Sequence, residues 1–402
     1  MGLPVALAGT AARRSSPVTA PLSHAVRDGR RAGTAMLVAI ALGMVAANSS
    51  LAESYAFLHH YPLRLGLPPL QVEAPLIDWI NQGLLTVFFF QIGLHTKHEM
   101  TTGALASPGA AAIPAAAALG GMILPAAVYT TFNYFDPVKL GGWAIPIATD
   151  IVLVLGFLSL FGGRLVPGII AFVTTAAIFD DLGAVIVIAL FYGEIEAVWP
   201  LAVIATGLLG LLGLNRCLHT RLAPYLLAGV VLWFGLVATG LEGAVAGAVV
   251  GLSLPLSAFP AHSASHTERR ISPVALFFVV PVFAFFNGGV PLEFAHPALA
   301  TDSVALGIAA ALVFGKPAGV LAGTLLAVRL GFGSLPAGVT ARDIAATALL
   351  AGLGFTMSLF IVTIAFHDPL LTDTAKLAVL AGSGLSAVIA LITLTTGTRK
   401  TE

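Results

Sequence analysis

Apolar stretches long enough to cross a lipid bilayer recur along almost all of this 402-residue chain. Apolar residue types fill 58% of its positions and charged types only 9%, whereas ordinary soluble domains are about 25% charged. A helix needs about 20 mainly apolar residues to span a bilayer. The sequence therefore predicts an all-α polytopic membrane protein with about twelve transmembrane helices, at residues 34–52, 75–96, 108–134, 143–162, 166–192, 198–215, 222–240, 243–259, 272–292, 303–328, 343–366 and 374–396.

The 19 Lys and Arg residues are distributed unevenly among the loops between these spans. All but four lie on the side of the two termini; Arg64, Lys139 and Lys376 lie on the opposite side, and Lys316 is inside a span. Because Lys and Arg accumulate in cytoplasmic loops, both termini are predicted to be cytoplasmic. No basic run exceeds two residues, so a nucleic-acid partner is not expected. The single cysteine, Cys217, excludes an intramolecular disulfide and a Cys-based metal site.

The chain divides into one membrane domain and two short tails. Residues 1–32, rich in Ala, Gly, Ser and Arg, are predicted to form a disordered cytoplasmic tail, and residues 397–402 a second cytoplasmic tail. The membrane domain covers 33–396. Its longest external loop, 53–74, contains the Pro, Gly and apolar spacing of a small hairpin.

Four ionisable residues lie deep inside the predicted spans: Asp150, Asp180, Asp181 and Lys316. Each costs about 2.5–3.5 kcal/mol or more to insert unless it is paired or hydrated. The four could form purely structural buried pairs, but the acids outnumber the base. Asp180 and Asp181 are adjacent and point about 100° apart on a helix, so both cannot face one Lys. At least one carboxylate is left for a hydrated cavity.

Such a carboxylate can bind either a small hard cation or a proton. Sodium prefers oxygen ligands, and desolvation favours protonation of a buried acid. Suppose that the carboxylate site changes its side of exposure when it carries a cation or a proton, but not when it is empty and charged. The cation and the proton then move in opposite directions. The residues therefore predict exchange of a cation for a proton.

Two spans carry residues that interrupt a helix near mid-membrane. Span 4 has Pro146 four residues before Asp150, beside Thr149, and proline removes a backbone hydrogen bond. Span 11 contains Gly352, Gly354 and Thr356. Gly and Pro are common in membrane helices, but interrupted helices at corresponding places in two halves indicate a transporter site. Spans 3–5 and 10–12 are predicted to be inverted-topology repeats, with Asp150 offsetting helix N-termini at the crossing and Lys316 offsetting C-termini.

These segments resemble the NhaA-type bacterial sodium/proton antiporters, over residues of about 33–396. The resemblance implies inverted repeats with crossed, interrupted helices, and exchange of two inward protons for one outward Na⁺ or Li⁺, without a cofactor. The motifs that carry it are LTVFFFQIGL (85–94), WAIPIATDIVLVLG (143–156), AAIFDDLGAVIVIALFY (176–192), VPVFAFFNGGV (280–290), FGKP (314–317) and GLGFTMSLFI (352–361).

The resemblance also implies roles for matching positions. Asp181 would be the central Na⁺ and proton ligand, with Asp180 as its neighbour, sharing in Na⁺ binding or paired with Lys316. Asp150 and Thr149 would lie at the crossed helices, and the second break would comprise Gly352, Gly354, Phe355 and Thr356. The protein would lie in the inner membrane, serve sodium and pH homeostasis, and form a homodimer through the external hairpin near residues 60–74.

The departures from the family pattern concern the expected pH response. Where the family commonly has a cytoplasmic segment like LEVKRE, this chain reads LHTKHE, which comprises His95, Lys97, His98 and Glu99. An external His of the family is replaced by Glu242, whereas Glu268 keeps an acidic residue. His titrates near pH 6.5 and Glu near 4.3 when unperturbed, so a changed pH profile is expected. His95 and His98 could also be only solvated surface residues.

Three other classes of protein with polar groups buried in the membrane compete with the exchange interpretation. Intramembrane aspartyl proteases also use two buried Asp, but their GxGD motif is missing here. A sodium-coupled symporter needs a separate organic pocket, whereas this chain concentrates its charges in one acidic cluster with a Lys. A channel is disfavoured because adjacent buried Asp residues bind an ion more than they conduct it.

Overall fold

The structure is a computed structural model that describes residues 19–65, 72–161, 166–193, 195, 198–256, 261–292, 301–335 and 338–397. Within them the chain is almost entirely helical, with one two-stranded sheet. The all-α polytopic fold is confirmed.

Seven helical stretches of the described chain are long and apolar enough to cross a membrane. Two of them combine two helices through a π-helical turn, at Ala275–Val279 and Ala311–Gly315. These stretches lie within α1 (Thr19–Ala47), α5 (Pro108–Asn133), α8 (Pro167–Phe191), α10 (Leu222–Thr239), α12 (Ala261–Val274) with α13 (Val280–Gly288), α14 (Ser303–Ala310) with α15 (Lys316–Arg329), and α18 (Pro369–Gly397).

Two further spans are broken helices, as the sequence predicts for spans 4 and 11. The first runs through α6 (Pro137–Leu140) and the 3₁₀ stretch Gly141–Ile147, then resumes as α7 (Ile151–Phe161) with a bend of 43°. The second consists of α16 (Ala341–Ala351) and α17 (Phe355–Ala365), bent by 46°.

The remaining predicted spans correspond to helices that fail a length or composition test for spanning. By these tests the described residues contain up to nine membrane spans, whereas the sequence predicts twelve. Span 75–96 starts with α3 (Leu76–Asp78) and a π-helical stretch, Trp79–Leu84, and continues as α4 (Leu85–Thr102), whose last turns carry Lys97 and Glu99. The other two are α9 (Leu201–Arg216) and α11 (Val245–Ser253).

The N-terminal helix starts earlier than the sequence suggested. α1 begins at Thr19, inside the segment 1–32 that was expected to be a disordered tail. Ala, Leu and Arg in this segment favour helix, and no proline follows Pro21 before the helix ends. Residues 1–18 and 398–402 lie outside the described residues.

The loop that the sequence predicts to be external contains the predicted hairpin. After α2 (Ala52–His60), strands β1 (Pro62–Leu65) and β2 (Val72–Pro75) pair antiparallel, with Arg64 opposite Glu73. These two side chains form an ion pair of 2.8 Å. The segment 66–71 between the strands lies outside the described residues.

The helices around the broken spans pack closely. A Cβ atom at Gly120 of α5 would lie 2.1 Å from the Gly319 carbonyl oxygen of α15, so the two backbones touch directly. α17 is buried on all sides from Phe355 to Val362, as expected of a central helix. Helices α4, α9, α10 and α11 form a second apolar cluster around Leu94, Leu211 and Tyr225, and exposed residues such as Leu190 and Leu227 cover the outside.

Candidate ion-binding site

The two helix breaks meet in the interior. Ala148–Asp150 separate the 3₁₀ stretch from α7, and Gly352–Gly354 separate α16 from α17. The Asp150 backbone N–H donates to the Leu353 carbonyl at 2.5 Å, which joins one break to the other. A Cβ atom at Gly352 would lie 2.3 Å from Ser386 Oγ and 2.4 Å from the Leu312 carbonyl oxygen. Only glycine fits the backbone there without displacing a neighbour.

Asp150 lies where two half-helices begin. Its Oδ1 accepts hydrogen bonds from the backbone N–H groups of Val152 and Leu153 in the first turn of α7, at 3.0 and 3.1 Å. Its Oδ2 accepts from the N–H and the hydroxyl of Thr356 in the first turn of α17, at 3.1 and 2.7 Å. The carboxylate thus faces the positive ends of two helix dipoles, as the sequence predicts.

Lys316 lies where the other half of span 4 ends. Its Nζ donates to the carbonyl of Ile147, the last residue of the 3₁₀ stretch, and lies 3.2 Å from Asp180 Oδ2. Lys316 is fully buried and Asp180 is 3% exposed. The ammonium therefore offsets both a negative helix end and a carboxylate.

Thr149 connects Asp180 to the second break. Its hydroxyl is 2.5 Å from Asp180 Oδ2 and 3.1 Å from the carbonyl oxygen of Ala351, the last residue of α16. A hydroxyl has one proton to donate, so these two acceptors compete for it. The predicted ligand Thr149 contacts Asp180 directly.

Asp181 follows Asp180 on α8 and is equally buried, at 4% exposure. Asp150 and Lys316 lie close enough to act on its charge, but the Lys316 ammonium is paired with Asp180 and Asp150 is bonded to two helix N-termini. Within the described chain, no three His, Cys, Asp or Glu side chains converge as a ready metal cluster. A cation at Asp181 would therefore combine this carboxylate with carbonyl, hydroxyl or water oxygens, which suits a hard monovalent ion.

Comparison with known proteins identifies relatives of this chain. The family model described as Na⁺/H⁺ antiporter 1 matches residues 23–394. The chain belongs to this family. It is 42% identical over 360 residues to the Na(+)/H(+) antiporter NhaA of Shewanella amazonensis, covering 89% of this chain and 92% of that protein. The corresponding protein of Shewanella baltica is 41% identical over the same shares. The resemblance stated from the motifs is confirmed.

Two of the residues expected in the family's pH response contact each other. His95 Nδ1 in the second half of α4 is 2.9 Å from Glu268 Oε1 in the second half of α12, and both side chains are partly exposed. Lys97, His98 and Glu99 lie in the following turn of α4. The pair carries both charges only when the imidazole is protonated.

Glu242 lies far from that pair. It is in the turn between α10 and α11, where its side chain contacts the backbone N–H of Ala244. α4 and α11 run in parallel, because Gly247 packs on Thr86 and Gly251 packs on Leu94. Glu242 therefore lies at one end of this helix pair and His95 at the other. Burial raises the pKa of Glu242 to about 7.

Two features of the site were missed at the sequence level. Ser358, two residues after Thr356, donates to the carbonyl of Ile145 at 2.6 Å and so satisfies a further carbonyl of the 3₁₀ stretch. Phe360 of α17 lies 5.9 Å from Phe89 of α4 and 6.5 Å from Phe283 of α13, measured between ring centroids. These three rings are fully buried. All three lie within motifs that carry the family resemblance, at 85–94, 280–290 and 352–361, but the chain has 24 phenylalanines and nothing in the sequence indicated that these three rings contact one another.

Proposed function

We propose that this protein exports Na⁺ or Li⁺ across the membrane in exchange for inward-moving protons, by alternating access to Asp181. One observation carries the proposal: of three buried carboxylates, two have dedicated positive partners, and Asp181 has no comparable one among the described residues. Its burial makes an empty, charged carboxylate costly. The carboxylate therefore favours binding either a cation or a proton, and membership of the antiporter family supports the same conclusion.

The neighbouring residues prepare the site for this competition. Lys316 neutralises Asp180, and Asp150 holds the starts of α7 and α17 together, so the broken backbone stays assembled while Asp181 changes its occupant. Asp180 pairs with Lys316 and contacts Thr149, so the further ligands of a dehydrated Na⁺ at Asp181 would be hydroxyl, carbonyl or water oxygens. The family relationship supports these roles without a resident cofactor.

The placement in the membrane follows from charge. The excess of Lys and Arg on the side of the termini supports cytoplasmic termini in a bacterial inner membrane. The strands Pro62–Leu65 and Val72–Pro75 form the external hairpin, and we propose that a second copy of the chain pairs with this hairpin in a homodimer. His95, Lys97, His98, Glu99 and Glu268 would form the cytoplasmic pH-responsive group, with Glu242 acting separately on the external side.

A sodium-coupled symporter would require space for an organic solute. The cavity beside Asp180 has a volume of about 20 Å³, whereas pockets for organic ligands measure roughly 300–1,000 Å³. The cavity beside Asp180 is therefore too small for an organic solute, which supports ion exchange at this position.

The decisive experiment measures Na⁺-dependent proton flux in proteoliposomes for Asp181→Asn. This variant keeps the side-chain shape but cannot carry the charge, so exchange should fall to the level of empty liposomes while the protein still purifies as folded material. Asp368→Asn is the matched control, because Asp368 is exposed and only caps the start of α18. Appreciable exchange by Asp181→Asn contradicts the central role of Asp181.

A further inference from the structure

The cavity beside Asp180 lies against a single face of α8. Its volume of about 20 Å³ exceeds the roughly 10–15 Å³ that one ordered water molecule requires. The α8 residues that line it recur at helical spacing, which is why they share one face: Phe172, Val173, Ala176, Ala177 and Asp180. Asp181 is offset by about 100° around the helix axis and is not one of the described lining residues.

Three polar residues line this otherwise apolar cavity: Thr149, Asp180 and Thr347. Asp180 Oδ2 is occupied by Thr149 and Lys316. Asp180 Oδ1 is buried and has no hydrogen-bond partner among the described residues. Burying a carboxylate oxygen without a hydrogen-bond partner costs free energy. The cavity has enough space for such a partner.

Thr347 supplies a second polar contact. It is 1% exposed and lies on α16, four residues before Ala351 at the break. Its hydroxyl lies 2.8 and 3.1 Å from the carbonyl oxygens of Asp343 and Ile344 in its own helix, which compete for its one proton, and its oxygen is still able to accept. A buried water typically has two to four polar partners, and Thr149, Asp180 and Thr347 offer that number.

We propose that this cavity is a water-binding site, defined by Asp180 and Thr347, which hydrates Asp180 separately from the cation position at Asp181. From Asp180 the cavity follows α8 back to Phe172, over about 12 Å at 1.5 Å per residue, toward the start of the helix at Pro167. The orientation proposed above puts this end of α8 on the cytoplasmic side. The water site is therefore on the cytoplasmic side of the breaks.

Thr347 is thus a positioning residue that acts through the bound water. The role of the site in transport rests on the proposed exchange function, but the presence of water in the cavity does not. Without the Thr347 hydroxyl, the water loses one of its three polar partners, and Asp180 Oδ1 is hydrated for a smaller fraction of the transport cycle. Turnover should slow, whereas capture of Na⁺ at Asp181 should be unchanged.

Radiolytic hydroxyl labelling in ¹⁸O water tests the site on the full-length purified protein. Water bound beside a side chain promotes its modification, so Phe172, which lines the cavity, should be labelled several-fold faster than Phe283. Both rings are buried, at 3% and 0% exposure, so Phe283 is a matched control. Thr347→Val, which is isosteric, should reduce Phe172 labelling roughly fivefold to tenfold, as for the loss of one hydrogen-bonded partner. Thr347→Ser should retain it.

Exchange kinetics then test the separation from the cation site. Thr347→Val should lower the maximal exchange rate by a similar factor at an unchanged KM for Na⁺, and Thr347→Ser should restore the rate. If Thr347→Val does not fold, Ala176→Val fills the same cavity from α8.

Equal labelling of Phe172 and Phe283 in the unmodified protein overturns the water site. A rise in the Na⁺ KM that matches the loss of rate overturns its separation from Asp181. Labelling of Phe172 in a protein without exchange would refute the proposed function and leave the water site standing.

Discussion

The Asp150 carboxylate accepts hydrogen bonds from both the backbone N–H and the hydroxyl of Thr356, at 3.1 and 2.7 Å, although the two residues lie 206 positions apart in the sequence. The carboxylate that caps α7 therefore also holds the first turn of α17. Because both residues are at most 3% exposed, water does not replace either hydrogen bond when one is lost. This contact makes the two broken spans one structural unit.

Replacing the Thr356 hydroxyl should weaken this unit. Thr356→Val removes one hydrogen bond to a buried charged group, and the expected loss in the free energy of unfolding is about 1.5–3 kcal/mol. Thermal unfolding in detergent measures it, with Thr356→Ser as the control that keeps the hydroxyl. Equal unfolding temperatures for the two variants would show that the hydroxyl contributes no stability.

Removing Lys316 should be more damaging. Lys316→Ala leaves Asp180 buried without its ammonium partner, and breaking a buried pair costs about 3–5 kcal/mol. The comparison is Lys139→Ala, because Lys139 forms an ion pair of 2.9 Å with Asp302 in which both side chains are about one quarter exposed. Partly exposed pairs contribute about 0.2–1 kcal/mol.

Thermal unfolding of both variants checks the difference. The double variant Lys316→Ala with Asp180→Ala should recover part of the stability lost in Lys316→Ala alone, since it no longer buries an unpaired charge. An equal or larger loss in the double variant would contradict an ion pair between these residues.

The contact between His95 and Glu268 predicts a change in pH response. His95→Gln keeps a polar side chain beside Glu268 but cannot become charged, so the dependence of exchange rate on pH in proteoliposomes should change in shape or position. His95→Glu should disturb the profile further, because it places a second carboxylate at the 2.9 Å contact. His98→Arg tests the neighbouring position. Profiles identical to that of the unmodified protein would remove these residues from any role in pH sensing.

The buried Glu242 carboxyl should make the stability of the folded protein depend on pH. Burial raises its pKa from 4.5 to about 7, so between these values the folded protein holds a proton that the unfolded chain has released. Stability should therefore fall as pH rises from about 4.5 to 7. Glu242→Gln removes this contribution, and its unfolding temperature should decline less over the same window.

Glu53→Gln is the control for Glu242→Gln, because Glu53 is exposed on α2. Its unfolding temperature should follow that of the unmodified protein at every pH. If Glu242→Gln also follows the unmodified protein, the Glu242 carboxyl titrates at its ordinary value.

Most helices of this fold could be predicted from short stretches of the sequence. Long apolar windows indicated the spans, and Pro146 and the pair Gly352 and Gly354 indicated both helix breaks, because hydropathy and helix interruption are properties of a few consecutive residues. They were less reliable for 75–96, 198–215 and 243–259, whose helices are shorter or more polar than a simple span. They also set the start of the first helix too late, at residue 34 instead of Thr19.

By itself, then, the sequence determined that four charges lie in lipid-crossing segments beside two interrupted helices. Only the tertiary structure showed that Asp150 contacts Thr356, that Asp180 contacts Thr149, and that His95 contacts Glu268. For Asp180 it favoured the pair with Lys316, one of two alternatives that the family resemblance left open. It also brought Thr347 into one cavity with Asp180. The physical reason is distance along the chain, since these residues lie between 31 and 206 positions apart. Helical periodicity indicates which face a side chain occupies, but the packing of other helices determines what that face contacts.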